Sequence, residues 1–192
     1  MKKQMMVFLL SFFLATFPLS FALAIMDGFS IPDLSAQSDV VVMGRVMNVT
    51  SHWSQDGKRI MSTANIWVDE VVRGTGRHGS EKVVTVEYEG GEIGDVGYRV
   101  SDAVILNAGE NIVVFLQASA GASGSRRIQS ESYGAGSGMP YTVMGRAQGV
   151  YKISDDGIAR KEGFTVASRR DAVVNNIPAV DLLRMIREVR QP

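Results

Sequence analysis

Asp39-Val40-Val41-Val42-Met43-Gly44-Arg45-Val46-Met47-Asn48-Val49, then a polar tip, then Ile60-Met61-Ser62-Thr63-Ala64-Asn65-Ile66-Trp67-Val68-Asp69-Glu70-Val71-Val72: this stretch decides how the chain folds. Side chains of an extended strand alternate between two faces. On the outgoing arm Val40, Val42, Gly44 and Val46 therefore share one face, and Val41, Met43, Arg45, Met47 and Val49 the other. The first half is apolar on both faces, as in a strand covered from two sides, and the second half alternates, as in a strand half open to water. On the return arm Ile60, Ala64, Ile66, Val68 and Val72 oppose Arg59, Met61, Thr63, Asn65, Trp67 and Asp69. Asp56-Gly57 between the arms is a hairpin signal, read as a type I′ turn.

Further strands follow by the same rule. Lys82 to Glu89 alternates, Tyr98-Arg99-Val100 is short, and Ile112-Val113-Val114-Phe115-Leu116 is a continuous apolar run suited to a central strand. Tyr141 to Met144 and Gly149 to Ile153 add two more, and Asp155-Asp156-Gly157 turns into Ile158 to Arg160. Helix is expected at three places. Pro32 to Gln37 makes one turn with Asp33 near its start. Ser168 to Asn175 makes a second, with Ser168 and Asp171 as a capping pair. Residues 178–190 form the main helix, with Pro178 at its first position, a stripe of Val180, Leu182, Leu183, Ile186 and Val189, and Arg187 and Arg190 near its C-terminal end.

The start of the chain carries an export pattern. Lys2 and Lys3 precede an apolar run, and Ala22-Leu23-Ala24 is a small-x-small cleavage site, so residues 1–24 read as a signal peptide. Residues 25–192 then form one domain, expected in the periplasm or outside the cell with no stable membrane insertion after cleavage. The whole chain has 20 basic and 20 acidic residues; without Lys2 and Lys3 the balance is 18 against 20, or −2. That balance gives no basic face for nucleic acid. With no cysteine, thiol catalysis, cysteine-zinc sites and iron–sulfur clusters are excluded.

Candidate chemistry is sparse. Gly74-Thr75-Gly76-Arg77-His78-Gly79 has dinucleotide-loop spacing but leads into a strand, where that motif needs a helix, so it reads as a loop between antiparallel strands. His52 and His78 are the only histidines, too few for a zinc site, and no metal or cofactor is expected. Glu87 and Glu89 share a strand face. Gly134-Ala135-Gly136-Ser137-Gly138 belongs to a low-complexity loop, 118–140, expected to be mobile. Val42-Met43-Gly44-Arg45 recurs as Val143-Met144-Gly145-Arg146, an echo too short and isolated for a duplicated domain. Trp67 is expected beneath the C-terminal helix. His52, Trp53 and Asp56, at the hairpin tip, are the binding candidates.

Asp39 to Val46, Ile60 to Val72 ending in Arg73-Gly74, Val83 to Tyr88, Gly90-Gly91, Gly109-Glu110 and Ile112 to Leu116 together resemble netrin-like modules, such as the N-terminal domain of tissue inhibitors of metalloproteinases. The pattern is also similar to small exported bacterial proteins of unknown function. The resemblance implies an antiparallel OB-like barrel. Those inhibitors meet the protease zinc through an N-terminal cysteine, which this chain lacks, so no functional residue carries over. The expectation is a mainly β, netrin-like barrel with a C-terminal helix, acting as an exported, non-enzymatic binding module for another exported protein, conceivably a protease. A glycan-binding barrel is the alternative, and a hydrolase built on His52 with Asp56 or the Glu87/Glu89 pair is the third reading.

Overall fold

A computed structural model describes residues 27–74, 82–119, 140–166 and 168–189. The signal segment, the glycine-rich stretch with His78, and nearly all of loop 118–140 lie outside the described residues. In chain order the elements are α1 (Ile31–Gln37), β1 (Val40–Trp53), β2 (Ile60–Gly74), β3 (Val83–Glu89), β4 (Gly91–Ile93), β5 (Val96–Tyr98), β6 (Asn111–Ala118), β7 (Tyr141–Val143), β8 (Val150–Ile153), β9 (Ile158–Arg160), β10 (Asn176–Pro178) and α2 (Ala179–Glu188). No helix among the described residues is long and apolar enough to cross a membrane.

Five strands close a barrel in the order β1-β2-β3-β7-β6, with β6 pairing back onto β1. The expected barrel and C-terminal helix are both present. The expectation of a purely antiparallel barrel is corrected: β3 and β7 run parallel, through Val86 and Tyr141. The reason is parity. An odd number of strands cannot alternate in direction all the way round a closed ring, so one neighbouring pair must be parallel. β4 and β5 form a separate hairpin, and β8, β9 and β10 extend the sheet beyond β6.

β6 shows how the extension is made. Its edge away from β1 is shared, Leu116–Ala118 pairing with β7 and Asn111–Val114 with β8. Between β7 and β8 the chain leaves the sheet for a 3-10 turn at Arg146–Gly149. Gln148 in that turn is fully buried; its Nε2 donates to the Asp27 carbonyl (3.0 Å) and its Oε1 accepts from Phe29 N (2.9 Å). The lead-in to α1 is thereby clamped to the barrel. The repeated Val-Met-Gly-Arg has different surroundings in its two places. Gly44 sits within β1, whereas Gly145 has φ 69° and starts the 3-10 turn.

Two apolar cores result. The barrel interior takes Val40, Val42 and Val46 from β1, Ala64 and Ile66 from β2, Val84 and Val86 from β3, and Ile112, Val114 and Leu116 from β6. The second core lies outside the barrel wall, where Val41, Val113, Phe115 and Tyr151 meet Ile31 and Leu34 of α1 and Leu182 and Ile186 of α2. Full burial of each large side chain stabilises by roughly 1.5–3 kcal/mol, so both helices are held by this outer core. Ser30 caps α1 in a reciprocal box: Asp33 N donates to Ser30 Oγ (3.2 Å) and Ser30 N to Asp33 Oδ2 (3.1 Å). Pro178 precedes α2 as its cap instead of occupying its first turn. Leu182 and Ile186 are buried, with Ala179, Leu183 and Met185 packed beside them, while Val180 is 78% exposed. The expected stripe is thus rotated off Val180. Arg73 of β2 donates to the Val189 carbonyl at the end of α2, and Arg187 pairs with Glu70. The expected Ser168 cap is replaced by a 3-10 turn at Arg170–Ala172, and the Ser168 hydroxyl donates to Asp27.

The face assignments hold until bulges interrupt them. Pairing slips between Val46 and Asn48 on β1, and opposite Met43/Gly44 and Val41/Val42 on β2. Met47, Asp69 and Val72 are the extra residues, so every side chain beyond each slip changes face. Val49 therefore joins the barrel interior, Val71 packs there too, and Val72 packs outside under the helices.

Gly44 marks the closest approach of the two arms. A Cβ there would lie 2.0 Å from the Trp67 carbonyl oxygen, which backbone pairing holds in place. Gly44→Ala is expected to lower stability by about 1–3 kcal/mol, the usual cost of overpacking, read as a lower urea midpoint at unchanged slope. An unchanged midpoint would contradict this tight approach.

Candidate functional site

The hairpin tip is built by its turn chemistry. Gly57 N donates to the Ser54 carbonyl (2.8 Å), and Ser54 N to the Arg59 carbonyl (2.8 Å). Only Gly57 of the Asp56-Gly57 pair has positive φ, 67°, so the expected type I′ turn is not formed. Asp56 Oδ1 accepts from Ser54 Oγ (2.6 Å) and Lys58 N (3.2 Å). The Ser54 hydroxyl bond, followed by the Lys58 amide, holds the Asp56 carboxyl below its ordinary range. Asp56 thus uses its Oδ1 to close the turn. His52 and Trp53 are adjacent on β1 and point to opposite faces. His52 Nε2 lies 3.5 Å from Glu87 Oε1 on β3, while Trp53 ends the strand 48% exposed. The three candidates lie close in the chain without converging.

Glu87 and Glu89 each have a partner of their own. Glu87 faces His52; Glu89 accepts from the Tyr98 hydroxyl (2.9 Å) and lies 3.8 Å from Arg59. The bond to Glu89 raises the Tyr98 hydroxyl above an ordinary tyrosine.

Among the described residues, no element lies over part of the outer face of the β1, β2 and β3 wall. The helices shelter the Val41 and Met43 end; from Arg45 onward the face is open. Trp67 stands directly opposite Arg45 on β1 and Val83 on β3. It is 43% exposed, which overturns its expected place beneath the C-terminal helix; α2 packs against Val41, Val72 and Phe115 instead. Met47, at the bulge on the same face, is 45% exposed. A polar ladder crosses the face beside them: Thr85 Oγ1 donates to Asn65 Oδ1 (2.9 Å), and Asn65 Nδ2 to Asn48 Oδ1 (2.9 Å). The ladder fixes the three strands in register under Trp67.

One end of the barrel opens into a 490 Å³ cleft beneath residues 99–108, with Val49, Ser51, Ser62, Tyr88 and Leu106 in its wall. Ser62 Oγ donates to the Gly90 carbonyl (2.6 Å), leaving Ser51 Oγ to donate to Ser62 (3.0 Å). Burial pushes the Tyr88 hydroxyl above its usual value, partly offset by hydrogen bonds with the Leu106 backbone and Ser62. Glu110, just before β6, ties the 107–110 turn to Lys152 of β8. Burial opposes its charge, yet hydrogen bonds from Lys152 Nζ (2.8 Å) and from Asn107 outweigh this and hold its carboxyl below the ordinary value. That is the physical content of the Gly109-Glu110 turn read in the sequence. Among the described residues no cluster of three or more His, Asp or Glu could hold a metal ion.

Fold and site together define an OB-type barrel with one helix-covered wall and one open, aromatic-bearing wall. Comparison with protein-family models, curated proteins and solved structures finds no match. Met47 and the cleft were not reached from the sequence. Met47 shares the outer face with Arg45 in the alternation but carries no signal of its own, and the cleft depends on a segment, 99–108, without regular structure.

Ser62 is 1% exposed, and its bond to Gly90 holds the start of β4 against β2. Ser62→Ala is expected to cost about 1–2 kcal/mol by leaving that carbonyl without its donor. Urea unfolding checks this, and an unaltered midpoint would contradict it.

Proposed function

We propose that this chain is an exported, non-enzymatic binding module whose open β1–β2–β3 face docks another exported protein. One observation carries the reading. Of the six large apolar side chains most exposed among the described residues, two, Met47 and Trp67, stand on this one face. Arg45 stands opposite Trp67. Tryptophan, methionine and arginine are the residues enriched at the centres of protein interfaces, because they bring large contact area with few charges to desolvate. The scaffold beneath is a closed barrel, so the face is presented with little conformational entropy left to lose on binding. Export is supported by the basic start, apolar run and Ala22-Leu23-Ala24 site, and is consistent with the absence of cysteine. The likeness to netrin-like inhibitors makes an exported protease the first class of partner to test, through the sheet face and not through an N-terminal thiol.

A glycan is the second reading. The Asn48–Asn65–Thr85 ladder sets amides and a hydroxyl beside an exposed indole, a combination that suits a sugar ring. Its polar groups already bond to one another, which favours the protein reading.

The test is a photo-crosslinking residue placed at Met47, with Arg184 on α2 as the distant control, in the native envelope. The expected result is a discrete adduct from position 47 alone, lost when Trp67→Ala is added. As a central anchor, Trp67→Ala should weaken the purified complex by about thirtyfold. Equal labelling from both positions, or undiminished binding after Trp67→Ala, would overturn the reading. Saturable binding on a sugar array instead would establish the glycan alternative.

A further inference from the structure

Among the described residues, Lys161 is the one buried charged side chain. It follows β9 and is 6% exposed. Its Nζ lies 4.4 Å from the centre of the Tyr151 ring and has no hydrogen-bond partner among the described residues. A buried ammonium normally recovers its lost hydration by pairing with a carboxylate or with several acceptors. Among the described residues the aromatic face is its one compensating contact, and burial holds the amine well below an ordinary lysine, at about 7.

Beside it lies a 360 Å³ cavity formed by the connection from β9 to β10. Lys161 and Val166 are its two buried lining residues; Phe164 and Val173 add apolar wall, and Arg170 and Asn175 stand at the rim. The Arg170 guanidinium uses its Nε on the Val166 carbonyl (2.8 Å), which anchors the group at the cavity it helps to line. Glu162 is the one carboxylate on this rim, and it is exposed.

We propose that this cavity binds a small organic carboxylate, whose oxygens take hydrogen bonds from Lys161 and Arg170 while its apolar body rests on Phe164, Val166 and Val173. The volume suits a molecule of about one ring, at the lower end of ordinary ligand pockets. The flexible stem of Lys161 lets its amine leave the Tyr151 face and meet the carboxylate. Tyr151 from β8 faces the amine, and Glu162 and Arg170 are the charged groups that line the cavity with it; residues 173–176 bring no titratable side chain. At pH 8 the resting amine is mostly neutral, so the arriving carboxylate draws a proton onto it from solvent, and the bound state is the ammonium–carboxylate pair.

Benzoate is the probe, with benzyl alcohol as its uncharged counterpart and sodium chloride added to constant ionic strength. The readout is the NMR signal of the Lys161 ε-methylene in the wild-type protein at pH 8. A saturable shift with benzoate by ~10 mM, in the millimolar range expected of so small a ligand, and none with benzyl alcohol, is the expected result. Lys161→Met keeps the stem and removes the amine; it should weaken benzoate by at least about tenfold, the worth of a charge-assisted hydrogen bond. No saturable shift in the wild type, an equal shift with benzyl alcohol, or unchanged benzoate affinity in Lys161→Met would each overturn the proposal.

Discussion

Everything in this molecule depends on β1 being paired along both of its edges. Residues Val40 to Arg45 bond to β2 on one side and to β6 on the other. Because the same strand is also covered on both faces at its start, it feeds two cores at once. Val40 and Val42 enter the barrel, and Val41 enters the layer under the helices. Backbone groups buried this thoroughly must be bonded, and β6 is the element that completes the bonding. Closure of the barrel is therefore a requirement for burying β1.

The same geometry divides the outer surface into two territories. Where β1 and β6 are apolar on their outer side, α1 and α2 lie over them. Where β1 turns polar, at Arg45, the helices stop and the wall is left open with Trp67 on it. The bulge at Met47 sits at that boundary. It turns Val49 inward to complete the barrel, while Met47 stays on the outer face it shares with Arg45. A bulge is the standard means of re-aiming side chains along a strand, and here it supplies the barrel core with Val49.

The apolar alternation of Val40 to Val46 and of Ala64 to Val68 was legible in the sequence because period-two burial is written residue by residue. The run Ile112 to Leu116 was legible as a central strand for the same reason, since apolar residues on successive positions need cover on both sides. The bulges were not legible. Met47, Asp69 and Val72 look like ordinary members of the alternation, and their slip is decided by how the partner strand's hydrogen bonds fall. The turn type at Asp56-Gly57 was missed because one glycine can serve either a two-residue or a longer loop, and Asp56 stabilises the longer one through Ser54 and Lys58. The parallel contact between β3 and β7 follows from the closing of five strands, a global condition with no local signature. Of the candidate site, Trp53 was visible as a tip aromatic, whereas Trp67 was assigned to the wrong cover because the position of α2 over the sheet is a packing outcome. Lys161 carried no signal, since a lysine beside Glu162 reads as surface until the fold encloses it.

Amide hydrogen exchange tests the central claim most directly. If β1 is the doubly paired strand on which both cores depend, the amides of Val40 to Met43 and Val113 to Leu116 should be the slowest in the protein and exchange only by global unfolding. They should share one opening free energy, equal to that from urea unfolding, while β4, β5 and β10 exchange earlier. Exchange of the β1–β6 pair at a lower opening energy than the β1–β2 pair would mean that the barrel opens along that seam without unfolding, and would contradict the account.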